Sequence, residues 1–291
     1  MKFWQSIAFN DPGELVALAR GAESAGFEGV MLSEHLFLPE VYAPRYPYSE
    51  NGRPDFGADT PFPDPWVTMA ALAANTQSLR FVTMVQILPL HHPIEVAKAA
   101  GTAALFSDDR VILGAGAGWM REEFDILGID FTTRGKRFDE SIEILRRLWS
   151  GEMVEFHGEI FDFDRIRMSP APNRPIPIFV GGASKPALRR AARCGNGWLG
   201  AGNTPDEAER ILGELARLRI EAGREDEPFE AVVPLTTRLE TDTLRHLSEL
   251  GATASVHYPF VYSVGPEATL SQKLDAMQRF GDAVVGPMAD P

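Results

Sequence analysis

The chain has 291 residues, of which 44% are hydrophobic and 24% are charged, as is usual for a globular protein. Its net charge of −13 disfavours a general nucleic-acid binder, which needs an excess of positive charge. No segment approaches the roughly 20 apolar residues that cross a bilayer. The first residues lack a secretory-signal pattern, and the single cysteine, Cys194, suits a reducing compartment. We therefore expect a cytoplasmic protein with no nucleic-acid or membrane partner.

Apolar periodicity alternates between strand and helix along the chain. Eight segments have strand character: KFWQSIAF, GVMLS, RFVTMVQIL, RVILGAGAG, PIPIFVGG, NGWLGAG, FEAVVPLT and TASVHYPF. Helical segments separate most of them, including RGKRFDESIEILRRLWSG, which is apolar at Phe138, Ile142, Leu145, Leu148 and Trp149. Repeated strand–helix units predict a parallel sheet, and eight of them favour a (β/α)8 TIM barrel over an open doubly wound sheet. We expect one domain over residues 1–291.

Two insertions interrupt this rhythm. Residues 36–65, after strand two, are rich in proline, tyrosine and glycine and are too long for a routine connection. We expect this segment, called the lid below, to cover a pocket, with an oligomer contact as the alternative. Residues 150–175, before strand five, alternate in a two-residue pattern around His157 and Gly158, which predicts an inserted hairpin.

The carboxyl ends of the strands hold the active site in such a barrel. This rule selects the candidate residues before any motif is considered. From strands two to six in turn they are Glu34 and His35; Gln86; Gly114, Gly116, Gly118, Trp119 and Glu122; Gly181, Gly182, Ala183 and Ser184; and Gly200.

Glycines at two strand ends are candidates for ligand contact. The stretch GAGAG at 114–118 either lets a flat ligand lie against the backbone or forms a tight turn. Gly181, Gly182 and Ser184 begin a helix, where free N–H groups favour a phosphate. Glu34, His35 and one of two later histidines could converge on a metal ion, but spacing such as H-E-x-x-H is missing. We therefore expect no metal site.

Several blocks, in this order, carry a family resemblance: GFEGVMLSEHLFLP, RYPYS, DPWVTMAALAANTQSLRFVTMVQILPLHHPIEVAKA, GAGAGWMREEFDILGIDFTTRGKRFDESIEILRRLWSGE, FHGEIFDF and PIPIFVGGASKPALRRAARCGNGWLG. Together they resemble the bacterial luciferase-like superfamily, and within it the class that depends on coenzyme F420, a deazaflavin. The resemblance implies a cofactor ring near strands two to four and dimers as a common assembly. It also implies a non-prolyl cis peptide near Met84-Val85 and a phosphate on the backbone of residues 181–184.

The same resemblance suggests catalytic roles. His35 matches a histidine that lies beside the reactive ring carbon in sugar-modifying members. Their strand-four glutamate falls at Ala117 here, so Glu122 is the candidate replacement. Glu34 either orients His35 or faces a neighbouring helix, because adjacent side chains on a strand point to opposite faces.

Three functions follow from this resemblance. The first is an F420-dependent oxidoreductase that transfers a hydride to or from a small, largely apolar organic substrate. The second is a monooxygenase that uses reduced FMN and oxygen, and the third is a barrel that only binds a ligand or partner. Two basic clusters favour the long anionic tail of F420 over FMN: Lys185, Arg189 and Arg193, and Arg134, Lys136 and Arg137.

Overall fold

The strands predicted from the sequence are present and close into a barrel. The computed structural model describes residues 1–288, and eleven strands occur in that range. They are β1 (Lys2–Ser6), β2 (Gly29–Leu32), β3 (Arg80–Thr83), β4 (Gln86–Ile87), β5 (Val111–Gly116), β6 (Met153–His157), β7 (Asp162–Arg167), β8 (Ile178–Gly181), β9 (Gly197–Leu199), β10 (Glu230–Val233) and β11 (Ala254–His257).

The barrel wall consists of parallel strands. Its order is β1, β2, β3, β5, β8, β9, β10 and β11, and β11 pairs with β1 to close the ring. The short strand β4 follows β3 after a cis peptide bond between Met84 and Val85, and it pairs with β5. Closure confirms the TIM barrel and excludes the open doubly wound sheet.

Helices surround the wall. Within residues 1–288 they are α1 (Leu15–Ser24), α2 (Pro65–Ala73), α3 (Pro93–Phe106), α4 (Arg121–Ile126), α5 (Arg134–Trp149), α6 (Lys185–Cys194), α7 (Pro205–Glu221), α8 (Thr241–Glu249), α9 (Phe260–Ser263), α10 (Leu270–Phe280) and α11 (Gly286–Met288). None of the helices in this range is long and apolar enough to cross a membrane.

Side-chain caps fix several helix starts. Asp64 accepts a hydrogen bond from the amide of Val67 at 2.8 Å at the start of α2. Thr204 and Glu207 form a capping box at the start of α7, where a side chain and a backbone amide bond reciprocally. Local sequence therefore sets where these helices begin.

Two apolar layers hold the barrel together. Side chains alternate along each strand, so one set fills the barrel and the other packs beneath the helices. Every wall strand supplies at least one residue to the interior: Trp4, Met31, Val82, Ile112, Phe179, Leu199, Val232, Ala254 and Val256. The outer layer includes the five apolar residues predicted for α5, all of them buried.

The predicted hairpin is also present. Strands β6 and β7 pair antiparallel, and the turn between them lies against α5. The Glu140 carboxylate of α5 accepts hydrogen bonds from the amides of Glu159, Ile160 and Phe161 at 2.9 to 3.2 Å. Glu140 thus anchors the backbone of the inserted turn to the barrel.

Residues 33–64 connect β2 to α2 without a helix or strand. This connection contains the lid. Its course is set by aromatic contacts at the carboxyl ends of the barrel strands, the end of the barrel called the mouth below.

Candidate active site

His35 lies just beyond β2, buried at the mouth beside a carboxylate. Its Nδ1 atom is 3.0 Å from Oε2 of Glu123, a residue of α4. The Glu123 side chain is fully buried, and only 7% of the His35 side chain is exposed. The second oxygen of Glu123, Oε1, has no hydrogen-bond partner among the described residues. An imidazole and a carboxylate therefore form a buried pair, which we call the His35–Glu123 pair.

Glu34 points away from this pair. Its Oε2 atom accepts a hydrogen bond from the amide of Ile87 at 2.7 Å, and Oε1 accepts one from Gln86 at 3.3 Å. Nε2 of His91 lies 3.0 Å from Oε1. The expectation that Glu34 orients His35 is therefore wrong, and so is the alternative that it faces a neighbouring helix, because its contacts are with β4 and His91. Strand geometry directs consecutive side chains to opposite faces, so Glu34 and His35 point apart.

The Glu34 carboxylate affects the pKa of His91. Burial disfavours the imidazolium, but the hydrogen bond and charge of Glu34 outweigh it, so the pKa of His91 is raised above its usual value. Glu34 joins this histidine rather than His35, so the three side chains do not converge on one metal ion.

Glu122 also has a role other than the one expected. Its Oε1 atom accepts a hydrogen bond from the amide of Ala43 at 2.9 Å, which ties the lid to α4. The carboxylate that contacts His35 belongs instead to the next residue, Glu123. Helical periodicity contained the signal, because Met120, Glu123 and Phe124 share one face and all are buried.

The cis peptide predicted near Met84-Val85 is confirmed at that bond. The side chain of Val85, next to this bond, accounts for two of the predicted glycines. A Cβ atom on Gly116 would lie 2.4 Å from Val85, and one on Gly181 would lie 2.6 Å from it. Both glycines therefore make room for Val85, the residue that follows the cis bond.

Gly114, on β5, and Gly118, just after that strand, are also close to other protein atoms. A Cβ on Gly114 would lie 1.8 Å from the carbonyl oxygen of Thr83. Gly118 has a φ of +80°, a left-handed conformation that favours glycine. Packing and turn geometry account for these residues, and backbone contact with a ligand stays a prediction.

The loop after β8 has a more open geometry. Gly182 has a φ of +104°, and a Cβ there would lie 3.9 Å from the hydroxyl of Tyr48 in the lid. Ser184 caps α6 by accepting a hydrogen bond from the amide of Ala187 at 3.4 Å. Ala183 and Ser184 are exposed. Gly200 lies nearby, where a Cβ would be 2.8 Å from Asn203.

Aromatic side chains cover the His35–Glu123 pair. The ring centroid of His35 lies 5.2 Å from that of Phe62, 5.3 Å from Phe56 and 6.0 Å from Trp119. Tyr46 in turn lies 5.1 Å from Trp119. Aromatic side chains of the lid thus lie over His35 at the mouth.

All five tyrosines of the chain lie at this mouth. Burial raises the pKa of Tyr46 and of Tyr258 to about 12, so both keep their protons at neutral pH. The Tyr258 hydroxyl is buried without a hydrogen-bond partner among residues 1–288. The five are Tyr42, Tyr46, Tyr48, Tyr258 and Tyr262.

The basic clusters are largely engaged within the protein. Arg190 and Arg193 pair with Asp139 at 2.9 and 2.8 Å, and Lys136 pairs with Glu159 at 2.5 Å. These contacts remove part of the positive charge that favoured a long anionic tail. The side chains that stay exposed beside the β8 loop are Lys185 and Arg189.

Comparison with known proteins identifies the family. The profile of the luciferase-like monooxygenases matches residues 4–281. The chain belongs to the luciferase-like monooxygenase family. The resemblance found in the sequence is thereby confirmed, and the chain is an enzyme of the oxidoreductase and monooxygenase type. A barrel that only binds a ligand is set aside.

Relatives within this luciferase-like family include mycobacterial proteins. An uncharacterised protein of Mycobacterium tuberculosis is 38% identical over 287 residues, covering 98% of this chain and 99% of the relative. The F420-dependent hydroxymycolic acid dehydrogenase of the same species is 33% identical over 216 residues, covering 72% of this chain and 55% of that protein.

Solved structures of other members share the luciferase-like fold. A monooxygenase from Streptomyces bottropensis superposes with a TM-score of 0.79 at 20% identity, covering 99% of this chain and 100% of that one. The coenzyme F420-dependent tetrahydromethanopterin reductase of Methanopyrus kandleri gives a TM-score of 0.75 at 15% identity, with 98% of each chain covered. Relatives of this chain therefore include F420-dependent enzymes and monooxygenases.

Proposed function

We propose that this protein is an F420-dependent oxidoreductase that transfers a hydride between the deazaflavin and a small, largely apolar organic substrate. One observation carries the proposal: the imidazole of His35 lies at the barrel mouth, buried against Glu123 and covered by the lid. Histidine titrates near neutrality and suits the single proton transfer that accompanies hydride transfer.

The residues at the mouth fit a flat anionic cofactor. Val85 and the backbone of residues 114–118 would form one side of the cofactor site, and the β8 loop would lie next to it, because β8 pairs with β5. Gly182, Ala183 and Ser184 would hold a phosphate, since they are at least partly exposed and precede the start of α6. When bound, a deazaflavin supplies two-electron hydride chemistry.

The lid supports an apolar substrate. Phe56, Phe62 and Trp119 surround His35 and exclude water from it. Trp66 and Phe260, by contrast, are buried in the layer beneath the helices and serve packing. Tyrosine hydroxyls at the rim would give a substrate a few polar contacts in an otherwise apolar pocket.

One relative supports F420 rather than FMN as the cofactor. The hydroxymycolic acid dehydrogenase, at 33% identity over 72% of this chain, is by name F420-dependent. The basic clusters add little, because Arg193 and Lys136 are paired within the protein.

Titration of the purified protein with F420 and with FMN, followed by fluorescence, tests the proposal. We expect saturable binding of F420 and weaker binding of FMN. The variant Gly182→Val should weaken F420 binding, because a branched side chain is strained at a left-handed φ and would fill the β8 loop. Tight FMN binding with no response to F420 would overturn the proposal in favour of the FMN-dependent monooxygenase.

We further propose that the protein is a cytoplasmic homodimer. Dimers are common in the luciferase-like superfamily that the sequence resembles, which supports the assembly. The single cysteine favours a reducing compartment. Sedimentation velocity tests the assembly, and a monomer at all concentrations would contradict it.

A further inference from the structure

We propose that Glu123 is a positioning residue that fixes the tautomer of His35, with the proton on Nδ1 and the lone pair on Nε2. This inference rests on the proposed function, in which His35 exchanges a proton with the substrate. It adds a residue from α4 to a site that the sequence placed on strand ends.

The polar side-chain partner of His35 is Glu123, and that of Glu123 is His35. Nδ1 of His35 is 3.0 Å from Oε2 of Glu123, and both side chains are at least nine-tenths buried. A carboxylate accepts hydrogen bonds and does not donate them, so with Glu123 in its carboxylate form Nδ1 is the donor. Nε2, on the other side of the ring, is then left as an acceptor.

The surroundings contain no competing charge at contact distance. Glu34 and His91 form their own pair on the far side of β2, and Glu122 bonds the lid backbone. Within residues 1–288, Glu123 has no ion pair with a lysine or an arginine. Aromatic rings of the lid and Trp119 surround the imidazole.

This arrangement determines the path of the proton. A bound deazaflavin would supply two-electron chemistry by accepting the hydride when a substrate C–H bond breaks. The proton released from the adjacent O–H or N–H bond of the substrate would pass to Nε2 of His35, and the neighbouring carboxylate would stabilise the imidazolium. In the reducing direction Nε2 returns that proton to the substrate.

Substitution Glu123→Gln tests the assignment without any substrate. A glutamine amide has the same shape but can donate to Nδ1, which favours the opposite tautomer with the proton on Nε2. In the protein labelled with ¹⁵N-histidine, we expect the His35 ring nitrogens to exchange their protonated and lone-pair chemical shifts. His35→Gln identifies this signal among the six histidines.

Two further variants complete the experiment. Asp125→Asn on the exposed face of α4 is the matched control and should leave the His35 spectrum unchanged. Glu123→Asp keeps the carboxylate and should retain the wild-type tautomer, so it serves if Glu123→Gln does not fold. An Nε2-protonated ring in the wild type or in folded Glu123→Asp would overturn the proposal.

The cofactor titration separates this inference from the proposed function. The tautomer of the free protein does not depend on F420, whereas the proposed function does. Failure of F420 to bind would therefore overturn the function while leaving the tautomer measurement intact. If F420 binds, Glu123→Gln should keep its affinity within about threefold, because tautomer control acts on proton transfer rather than on cofactor binding.

Discussion

Glu34 and His35 are consecutive residues whose side chains bind groups on opposite sides of the end of β2. Glu34 contacts β4 and His91, whereas His35 contacts α4. The separation follows from the pleat of the strand. Glu34 therefore has a structural role, whereas His35 remains available for the proposed proton transfer.

Replacement of His35 by alanine should affect turnover far more than cofactor binding. Loss of a proton-transfer group lowers turnover by about 10²–10⁴-fold, while we expect the affinity for F420 to stay within about threefold, since the proposed phosphate contacts lie at the β8 loop. Steady-state kinetics and fluorescence titration measure the two effects. The control is His157→Ala, an exposed histidine of the hairpin. Unchanged turnover in His35→Ala would remove it from the mechanism.

The His91 contact should make stability depend on pH. The folded-state pKa of His91 is raised, so its stabilising contribution is fully present below the unfolded pKa of about 6.5 and is lost as pH rises through the folded pKa. The difference in free energy of unfolding between wild type and His91→Asn should therefore be larger at about pH 6 than at about pH 9. Urea denaturation at both pH values measures it, and an equal or reversed difference would contradict the assignment.

Among the secondary-structure elements, the inserted hairpin is anchored to α5 through the Glu140 side chain. Three backbone amides of the turn donate to the Glu140 carboxylate. A Cβ on Gly158 would lie 2.4 Å from the same carboxylate, so glycine is needed for this approach.

Glu140→Ala should destabilise the protein by about 1–3 kcal/mol, because it leaves partly buried amides without an acceptor. Hydrogen exchange at residues 159–161 should become faster. Glu143→Ala is the control on the same helix, since Glu143 makes an exposed pair with Arg147 that contributes little. Equal losses in chemical denaturation for the two variants would contradict the anchoring role.

At the scale of the whole molecule, barrel closure depends on how closely neighbouring strands approach. Gly114 on β5 faces the carbonyl oxygen of Thr83, and no side chain fits between them. Thr83 also donates through Oγ1 to the carbonyl of Gly114 at 2.6 Å. The junction is thus fixed on both strands.

Two glycine substitutions should have opposite effects on stability. Gly114→Ala places a Cβ 1.8 Å from a backbone oxygen and should cost at least about 2 kcal/mol. Gly213→Ala, in α7 with open space around it, should gain about 0.5–1 kcal/mol because alanine loses less backbone entropy in a helix. Thermal and chemical unfolding measure both, and shifts of the same sign would contradict this reading of the barrel.

Much of the fold could be predicted from the sequence. Strand and helix periods depend on residues close together in the chain, which is why all the wall strands and the hairpin could be predicted. The strand-end rule likewise brought His35 to the mouth.

The roles of single residues at the site were harder to predict. The stretch GAGAG is compatible with a flat ligand that lies against its backbone, because the sequence does not show that Val85 occupies the space beside Gly116. In the same way, the sequence does not reveal that Asp139 neutralises Arg193.

The barrel, its two insertions and the histidine at its mouth could be predicted from the amino-acid sequence. The carboxylate that contacts this histidine could be identified only from the tertiary structure. His35 and Glu123 are separated by 88 positions, and Glu34, the nearer candidate, points the other way. Local patterns specify elements because neighbouring residues share one backbone period. Side-chain partners depend on how a strand and a distant helix meet in space.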